Sequence, residues 1–359
     1  MKRLLYWVVH SLRVFDWPLL LILLGFAALG LTVMHSAVGG TDGRFAEQSR
    51  NFLVAFACLW AVALVPLPWL QRASVPVYAL GVVLLLGVEF FGETSKGATR
   101  WLHLGVVRIQ PSEMLKIAVP MMLAWYFQRS HAAHASDRAH AAASALASRD
   151  FLIAGTLIAI PFLLIVRQPD LGTALLVFGA GFFALYFAGL SFKLLAPAVV
   201  MAVAGLAAIL YFEDLLCAPG TDWVLLHDYQ KQRVCTLLDP AADPLGRGFH
   251  TLQAMIAIGA GGLYGKGYMQ GTQTHLDFVP ERTTDFIFAV YAEEFGLYGA
   301  VLLLGLYALL IARGLAIALT ARNHYGRLLA GTISGVLFVY VFVNIGMVSG
   351  ILPVVGVPL

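Results

Sequence analysis

The stretch Val279-Pro280-Glu281-Arg282-Thr283-Thr284-Asp285-Phe286-Ile287-Phe288 sets two acids and a base immediately ahead of an apolar run. Elsewhere the chain avoids charge. Charged groups are costly near lipid, so at a membrane boundary they persist mostly where they do a job. Two readings compete for this stretch. Its acids suit the dipole at a helix N-terminus, with Asp285 placed as an N-cap beside Thr284, or they belong to a site.

Composition settles the class. Of 359 residues, 60% are apolar and 12% charged, against roughly one in four charged in soluble proteins. No water-facing surface can be assembled from so little polar material. Uncharged runs recur near the ~20 residues that a helix needs to cross ~30 Å of hydrocarbon. The pattern predicts an all-α polytopic membrane protein with nine spans, at 18–36, 49–66, 75–92, 112–128, 151–166, 171–189, 194–212, 297–313 and 329–350. Pro18 suits the first turn of the first span. That span is too long, and lacks the small-residue cleavage site, to be a removed signal peptide. Leu4 to Phe15, with Lys2, Arg3 and Arg13, reads as an amphipathic helix lying on the membrane.

Positive charge orients the chain. Lys2, Arg3, Arg13, Arg72, Arg129, Arg138, Arg149, Lys193, Arg313, Arg322 and Arg327 all fall on the N-terminal side, which the positive-inside rule makes cytoplasmic. The net charge of +3 adds little to this. One connection breaks the rule: Gly92–Gln110 carries Lys96, Arg100 and Arg108 on the outer side. A basic loop there points to an anionic ligand. Cys58 lies in a span and reads as packing. Cys217 and Cys235 share the long outer loop, an oxidising side in a bacterium with a periplasm, where a disulfide between them is open.

Two stretches interrupt the spans. The inner one, 131–150, is low-complexity Ala, Ser and His and reads as a solvated linker. Its His131 and His134 have no acid or cysteine to complete a metal site. The outer one, 213–296, is the only part large enough to build an active site. It holds His227-Asp228-Tyr229-Gln230-Lys231-Gln232-Arg233, then Asp243-Pro244-Leu245-Gly246, a short helical run at Thr251–Ile258, and Gly259-Ala260-Gly261-Gly262-Leu263-Tyr264-Gly265-Lys266-Gly267. The last segment fails as a P-loop: Gly267 follows the lysine where Ser or Thr is needed, and no strand precedes it. Its glycines are expected to let the backbone approach a ligand, with Lys266 as a phosphate contact.

A single helix from Asp285 to Arg313 would span ~43 Å at ~1.5 Å per residue, beyond the ~30 Å hydrocarbon core. Its first third, with Glu293 and Glu294, is therefore expected at or above the outer interface. Transporters of coupled ions keep their sites near the midplane instead.

Trp101, Gln110-Pro111-Ser112-Glu113 with Lys116, Gln168-Pro169-Asp170-Leu171-Gly172, Pro280-Glu281 with Thr284-Asp285-Phe286-Ile287-Phe288, and Asn344-Ile345-Gly346-Met347 followed by Leu352-Pro353 together resemble the SEDS (shape, elongation, division and sporulation) family. The likeness runs in order along nearly the whole chain. His227 to Arg233, Asp243 to Gly246, and Arg282 after Pro280-Glu281 favour the family's elongation branch over its division branch. The resemblance implies a peptidoglycan glycosyltransferase that polymerises lipid II at the outer face of the bacterial cytoplasmic membrane. It implies a class B penicillin-binding protein as transpeptidase partner and no nucleic acid. By the same resemblance Asp285 is the catalytic carboxylate, and Glu113, Lys116 and Asp170 belong to one outer cavity. Two departures stand out. Thr283 occupies the position where the family usually has His. The family also continues past Leu359 with a Pro-Phe-x-Ser-Tyr-Gly-Gly stretch and a tenth span, so the 359-residue form is expected to polymerise less well than a ten-span chain.

The chemistry asks for few groups. Joining a sugar 4-hydroxyl to the anomeric carbon of a lipid-pyrophosphate sugar needs a base at the hydroxyl and positive charge at the departing pyrophosphate. Pyrophosphate leaves without protonation, so the second carboxylate of a glycosidase pair is dispensable. An aspartate with its ordinary pKa of about 4 is ionised at neutral pH, and Asp285 is expected to take the proton. Attack opposite the leaving group inverts the α-linked donor to a β product. Arg100, Arg108, Lys96, Lys116 and Arg282 are the candidates for the pyrophosphate charge. Lys116 follows Glu113 by three residues, which also suits a self-neutralising pair. A divalent cation can supply part of this charge, though the sequence shows no dedicated metal cage and no cofactor motif. A lipid II flippase, or a non-catalytic scaffold of the cell-wall synthase, are the alternative functions.

Overall fold

The computed structural model describes residues 15–40, 42–95, 98–105, 107–134, 145–168, 170–189, 248–276 and 281–352, with isolated positions between 196 and 235. Its helices are α1 (Trp17–Ala37), α2 (Gly43–Ala63), α3 (Leu67–Phe91), α4 (Pro111–His134), α5 (Ala145–Arg167), α6 (Leu171–Phe187), α7 (Gly248–Gly261), α8 (Thr272–His275), α9 (Ile287–Thr320) and α10 (His324–Val348). Among the described residues, five helices are long and apolar enough to cross a membrane: α1, α3, the 149–167 part of α5, α9 and α10. The shorter apolar α6 and the more polar α2 and α4 lie where spans were expected. The expected span at 194–212 falls mostly outside the described residues, as do His227–Arg233 and the Asp243–Gly246 run.

Several boundaries move. The third helix begins at Leu67 rather than 75, behind Pro66, whose extended backbone sets the start. The inner linker shortens from both ends, since α4 runs to His134 and α5 starts at Ala145. Asp150, assigned to that linker, is buried and accepts hydrogen bonds from Tyr126 and Ser130, each at 2.6 Å. Cys58, expected to pack inside a span, is exposed.

Contacts divide the chain into two units. One comprises Met1–Leu23, Val54–Phe192 and Leu309–Val339; the other comprises Leu24–Leu53, Lys193–Ala308 and Tyr340–Leu359. Between lipid-exposed helices there is little hydrophobic drive, so small residues and interhelical hydrogen bonds do the joining. In the first unit a Cβ at Gly81 would lie 2.9 Å from Leu115 Cδ2, so α3 and α4 cross closely there. Tyr78 donates to the Leu157 carbonyl at 2.8 Å, and the Ser74 and Tyr325 hydroxyls meet at 3.0 Å. Leu85, Leu115, Leu123, Ile165 and Leu328 fill the centre.

The first unit also holds a small antiparallel sheet in the stretch read as a basic loop. Strands β1 (Glu93–Ser95), β2 (Ala98–Leu104) and β3 (Val107–Ile109) lie in the order β1-β2-β3. Glu93 pairs with Trp101 and Leu102 with Ile109.

The second unit packs Val33, Ala254, Ala257, Phe286, Ala289, Met347 and Val348 into its core. The expected run Thr251–Ile258 is the centre of α7. The expected single helix from Asp285 to Arg313 is interrupted: α9 starts at Ile287 and breaks at Gly296, whose φ of 65° and ψ of −162° are closed to other residues. A break in a helix frees backbone N–H and C=O groups that must find other partners. The glycine-rich segment supplies them. Lys266 and Gly267 donate their N–H groups to the carbonyls of Glu293 and Glu294 at 3.1 and 3.0 Å. Leu297 and Tyr298 donate to the carbonyls of Gly262 and Leu263 at 2.9 and 3.2 Å. A Cβ at Gly261 or Gly265 would lie 2.1 Å from a carbonyl oxygen of α9. The close approach that these glycines permit is thus to a broken helix of the same chain, where a ligand had been expected.

Candidate functional site

In the first unit, the Gln110-Pro111-Ser112-Glu113 and Gln168-Pro169-Asp170 motifs meet at Asp170. Asp170 caps α6: its Oδ1 accepts from the Thr173 N–H at 3.4 Å and its Oδ2 from the Thr173 hydroxyl at 2.9 Å. The Gln110 amide donates to Asp170 Oδ2 at 3.0 Å and to Ser112 Oγ at 3.1 Å. Arg100, from β2, lies 3.7 Å from Asp170 Oδ1. Asp170 is 4% exposed and the Arg100 side chain 23%. The sheet therefore presents a half-buried guanidinium beside an α6 cap, a part for Asp170 that the sequence did not show.

One turn into α4, Lys116 and Glu113 form the expected i, i+3 pair at 2.7 Å. The pair is lopsided, with Lys116 9% exposed and Glu113 53%. Arg108 stacks its guanidinium 4.4 Å from the Trp101 ring centroid and sits 4.0 Å from Glu93, a cation held against an aromatic face. Lys96 lies outside the described residues.

In the second unit, residues 281–286 form a turn ahead of α9, with Glu281 at a positive φ of 52°. The turn closes through the N–H groups of Thr284 and Phe286, which donate to the Glu281 carbonyl at 3.0 and 3.3 Å. The Thr284 hydroxyl donates to Glu281 Oε2 at 3.1 Å. Arg44 of α2 reaches the Thr283 hydroxyl at 3.5 Å. Asp285 is half-buried at the end of this turn. The Asn344 side-chain amide donates to the Asp285 main-chain carbonyl at 3.2 Å.

Two expected phosphate contacts have other partners. Arg282 donates from Nε to the Ala37 carbonyl at 2.7 Å and from Nη1 to the Thr274 carbonyl at 2.9 Å. Lys266 Nζ pairs with Glu293 Oε1 at 2.7 Å and donates to Thr272 Oγ1 at 2.6 Å. Glu293 is fully buried, and it also accepts from the N–H groups of Gln273 and Thr274 at 2.9 and 3.1 Å. Glu294, equally enclosed, accepts from the Ser36 hydroxyl and from the Met269 N–H at 3.2 Å. Sequence reasoning missed Thr274 and Ser36, because a small hydroxyl residue in a short loop or at a span end carries no pattern of its own. Among the described residues, no three His, Cys, Asp or Glu side chains gather to hold a metal ion.

The whole arrangement has relatives. Residues 16–359 match the FtsW/RodA/SpoVE family, described as cell cycle proteins. The chain is 48% identical over 345 residues to the peptidoglycan glycosyltransferase MrdB of Escherichia coli strain K12, covering 96% of this chain and 86% of that protein. It is 29% identical over 420 residues to the peptidoglycan glycosyltransferase RodA of Treponema pallidum, covering 98% and 93%. Among solved structures it resembles a chain from work on structural coordination of polymerization and crosslinking by a peptidoglycan synthase complex, with TM-score 0.75 and 29% identity, covering 96% of this chain and 90% of that one. The rod shape determining protein RodA of Thermus thermophilus matches with TM-score 0.64 and 26% identity, covering 96% and 88%. With the family signature spread over both units, this multi-pass membrane protein belongs to the FtsW/RodA/SpoVE family.

Proposed function

We propose that this chain is a peptidoglycan glycosyltransferase that polymerises lipid II with inversion, using Asp285 as general base. One observation carries the assignment of the base. The Asp285 turn is tied down on several sides, by Arg282 to α1 and α8, by Asn344 from α10, and by Thr284 to Glu281. A base gains its rate advantage from being held at its proton, so a carboxylate on a tethered turn suits the task. The relatives named as peptidoglycan glycosyltransferases support the same reading.

In this scheme Asp285 takes the proton of the attacking 4-hydroxyl as the new bond forms. Lys116, Arg100 and Arg108 of the first unit are the proposed sources of positive charge for the departing pyrophosphate. A divalent cation bound at the pyrophosphate would add positive charge there. The Cys217–Cys235 disulfide supports placing their segment on the oxidising side of the membrane, with the N-terminus cytoplasmic and the site facing outward from the cytoplasmic membrane. The likeness to a chain of a synthase complex supports a class B penicillin-binding protein as partner.

The test is polymerisation of labelled lipid II by the purified protein, with and without that partner. Glycan strands from labelled lipid II are the expected product. Transbilayer movement of lipid II without any polymer would favour a flippase, and neither activity would leave a scaffold.

A further inference from the structure

We infer that Thr274 is a positioning residue, the joint of a closed ring of hydrogen bonds that fixes Asp285, and that Arg282 serves this ring rather than the pyrophosphate. The inference rests on Asp285 being the base.

The ring begins in the first part of α9. Glu293 accepts from the Thr274 N–H at 3.1 Å and from its hydroxyl at 2.9 Å. Thr274 itself is fully buried. Its carbonyl then accepts from Arg282 Nη1 at 2.9 Å. Three residues along the chain stands Asp285, and two further residues lead back into α9. Every link is intramolecular, and all lie within the second unit.

Two further grips keep the ring from shifting. Arg282 Nε donates to the carbonyl of Ala37, the last residue of α1, at 2.7 Å. The neighbouring Ser36 hydroxyl donates to Glu294, so both buried acids of α9 hold the elements that hold Arg282. Space is also fixed: a Cβ at Gly271 would lie 2.9 Å from Glu293 Oε2. A guanidinium spanning two carbonyls from different elements uses its fork geometry, which a lysine ammonium cannot copy.

The experiment compares Thr274→Val, Thr274→Ser, Arg282→Met and Arg282→Lys in the full chain, each checked for monodisperse elution in detergent. Hydrogen exchange over residues 281–288 is one readout, and kcat and KM for lipid II are the other. Thr274→Val, Arg282→Met and Arg282→Lys are each expected to speed exchange there and to lower kcat by about ten-fold. KM should stay within about two-fold of the parent value. Thr274→Ser restores the donor and should restore both readouts. An Arg282→Lys protein with parental kcat, beside an Arg282→Met protein with raised KM, would overturn the inference in favour of a phosphate-binding charge. Unchanged exchange in Thr274→Val would overturn it as well. If the parent chain makes no polymer, the functional reading falls, while the exchange data still decide whether the ring exists.

Discussion

The Asn344 side chain reaches across 59 positions of sequence to donate its amide to the Asp285 carbonyl at 3.2 Å. Asn344 is fully buried in α10, where an amide without a partner would be costly. The contact explains why a polar residue sits in an apolar span: it ties that span to the turn that presents the proposed base. Asn344→Leu keeps the approximate volume and removes the donor. The contact is part-buried, so losing its donor costs about 1 kcal/mol. The variant should therefore melt at lower temperature in detergent and polymerise more slowly. Parental melting and rate together would show that the contact has no weight.

Lys266 offers a sharper contrast, because the sequence and the structure assign it different work. Its ammonium neutralises Glu293, which is 0% exposed, while Lys266 itself is 26% exposed. Removing one partner of a buried pair costs roughly 3–5 kcal/mol, and the partial exposure places this pair toward the lower end. Lys266→Met should reduce the yield of folded protein, and Lys266→Met with Glu293→Gln should recover much of it. A Lys266→Met protein that folds normally but shows raised KM for lipid II would restore the phosphate role.

For Glu113 and Lys116 the asymmetry of burial sets the expectation. Glu113→Ala takes a 2.7 Å partner from an ammonium that is 9% exposed, whereas Lys116→Ala frees a carboxylate that is 53% exposed and readily hydrated. On structural grounds alone Glu113→Ala should be the more harmful change to stability. If Lys116 also stabilises the pyrophosphate, Lys116→Ala should be the more harmful change to kcat. A double-mutant cycle separates the two. Full activity in Glu113→Ala with Lys116→Met would assign the pair a structural role only.

Acid sensitivity follows from Asp16, just ahead of α1. The Arg313 guanidinium donates to its two oxygens at 2.9 and 2.6 Å and holds the carboxyl below its ordinary value, with the Leu19 N–H adding to the effect. A depressed folded-state pKa contributes stability that is present above the unfolded value, near 3.9. It is lost as pH falls through the folded value. Melting temperature should thus fall on acidification below about pH 4, and part of that fall should be absent in Asp16→Asn. The pair is partly exposed, so the effect is small, within about 1 kcal/mol. Identical acid limbs for the two proteins would remove Asp16 from the account.

Much of this was legible beforehand because lipid imposes simple rules. Long uncharged runs forced helices at α1, α5 and α10, and the i, i+3 spacing of Glu113 and Lys116 suited the pair that they form. The glycines at 261–267 were readable as a close approach but not as an approach to α9, since the partner is set by tertiary contact alone. Gly296 gave no warning of its positive φ within an otherwise regular apolar run. The strands of 93–109 were hidden because short, polar, two-sided segments lack a strong period. The intramolecular partners of Arg282 and Lys266 are not legible in sequence, because a cation near a candidate anion site looks the same there whether its partner is a ligand, a carbonyl or a buried acid.

The most direct measurement is the rate of glycan polymerisation from labelled lipid II by purified Asp285→Asn against the parent chain, at matched folded protein. Asparagine preserves the shape of the side chain and removes its basicity, and general base catalysis is worth about 10²–10⁴-fold. The account predicts a loss of at least about 100-fold with elution and melting unchanged. Near-parental polymer from Asp285→Asn would contradict it and remove Asp285 from the role of base.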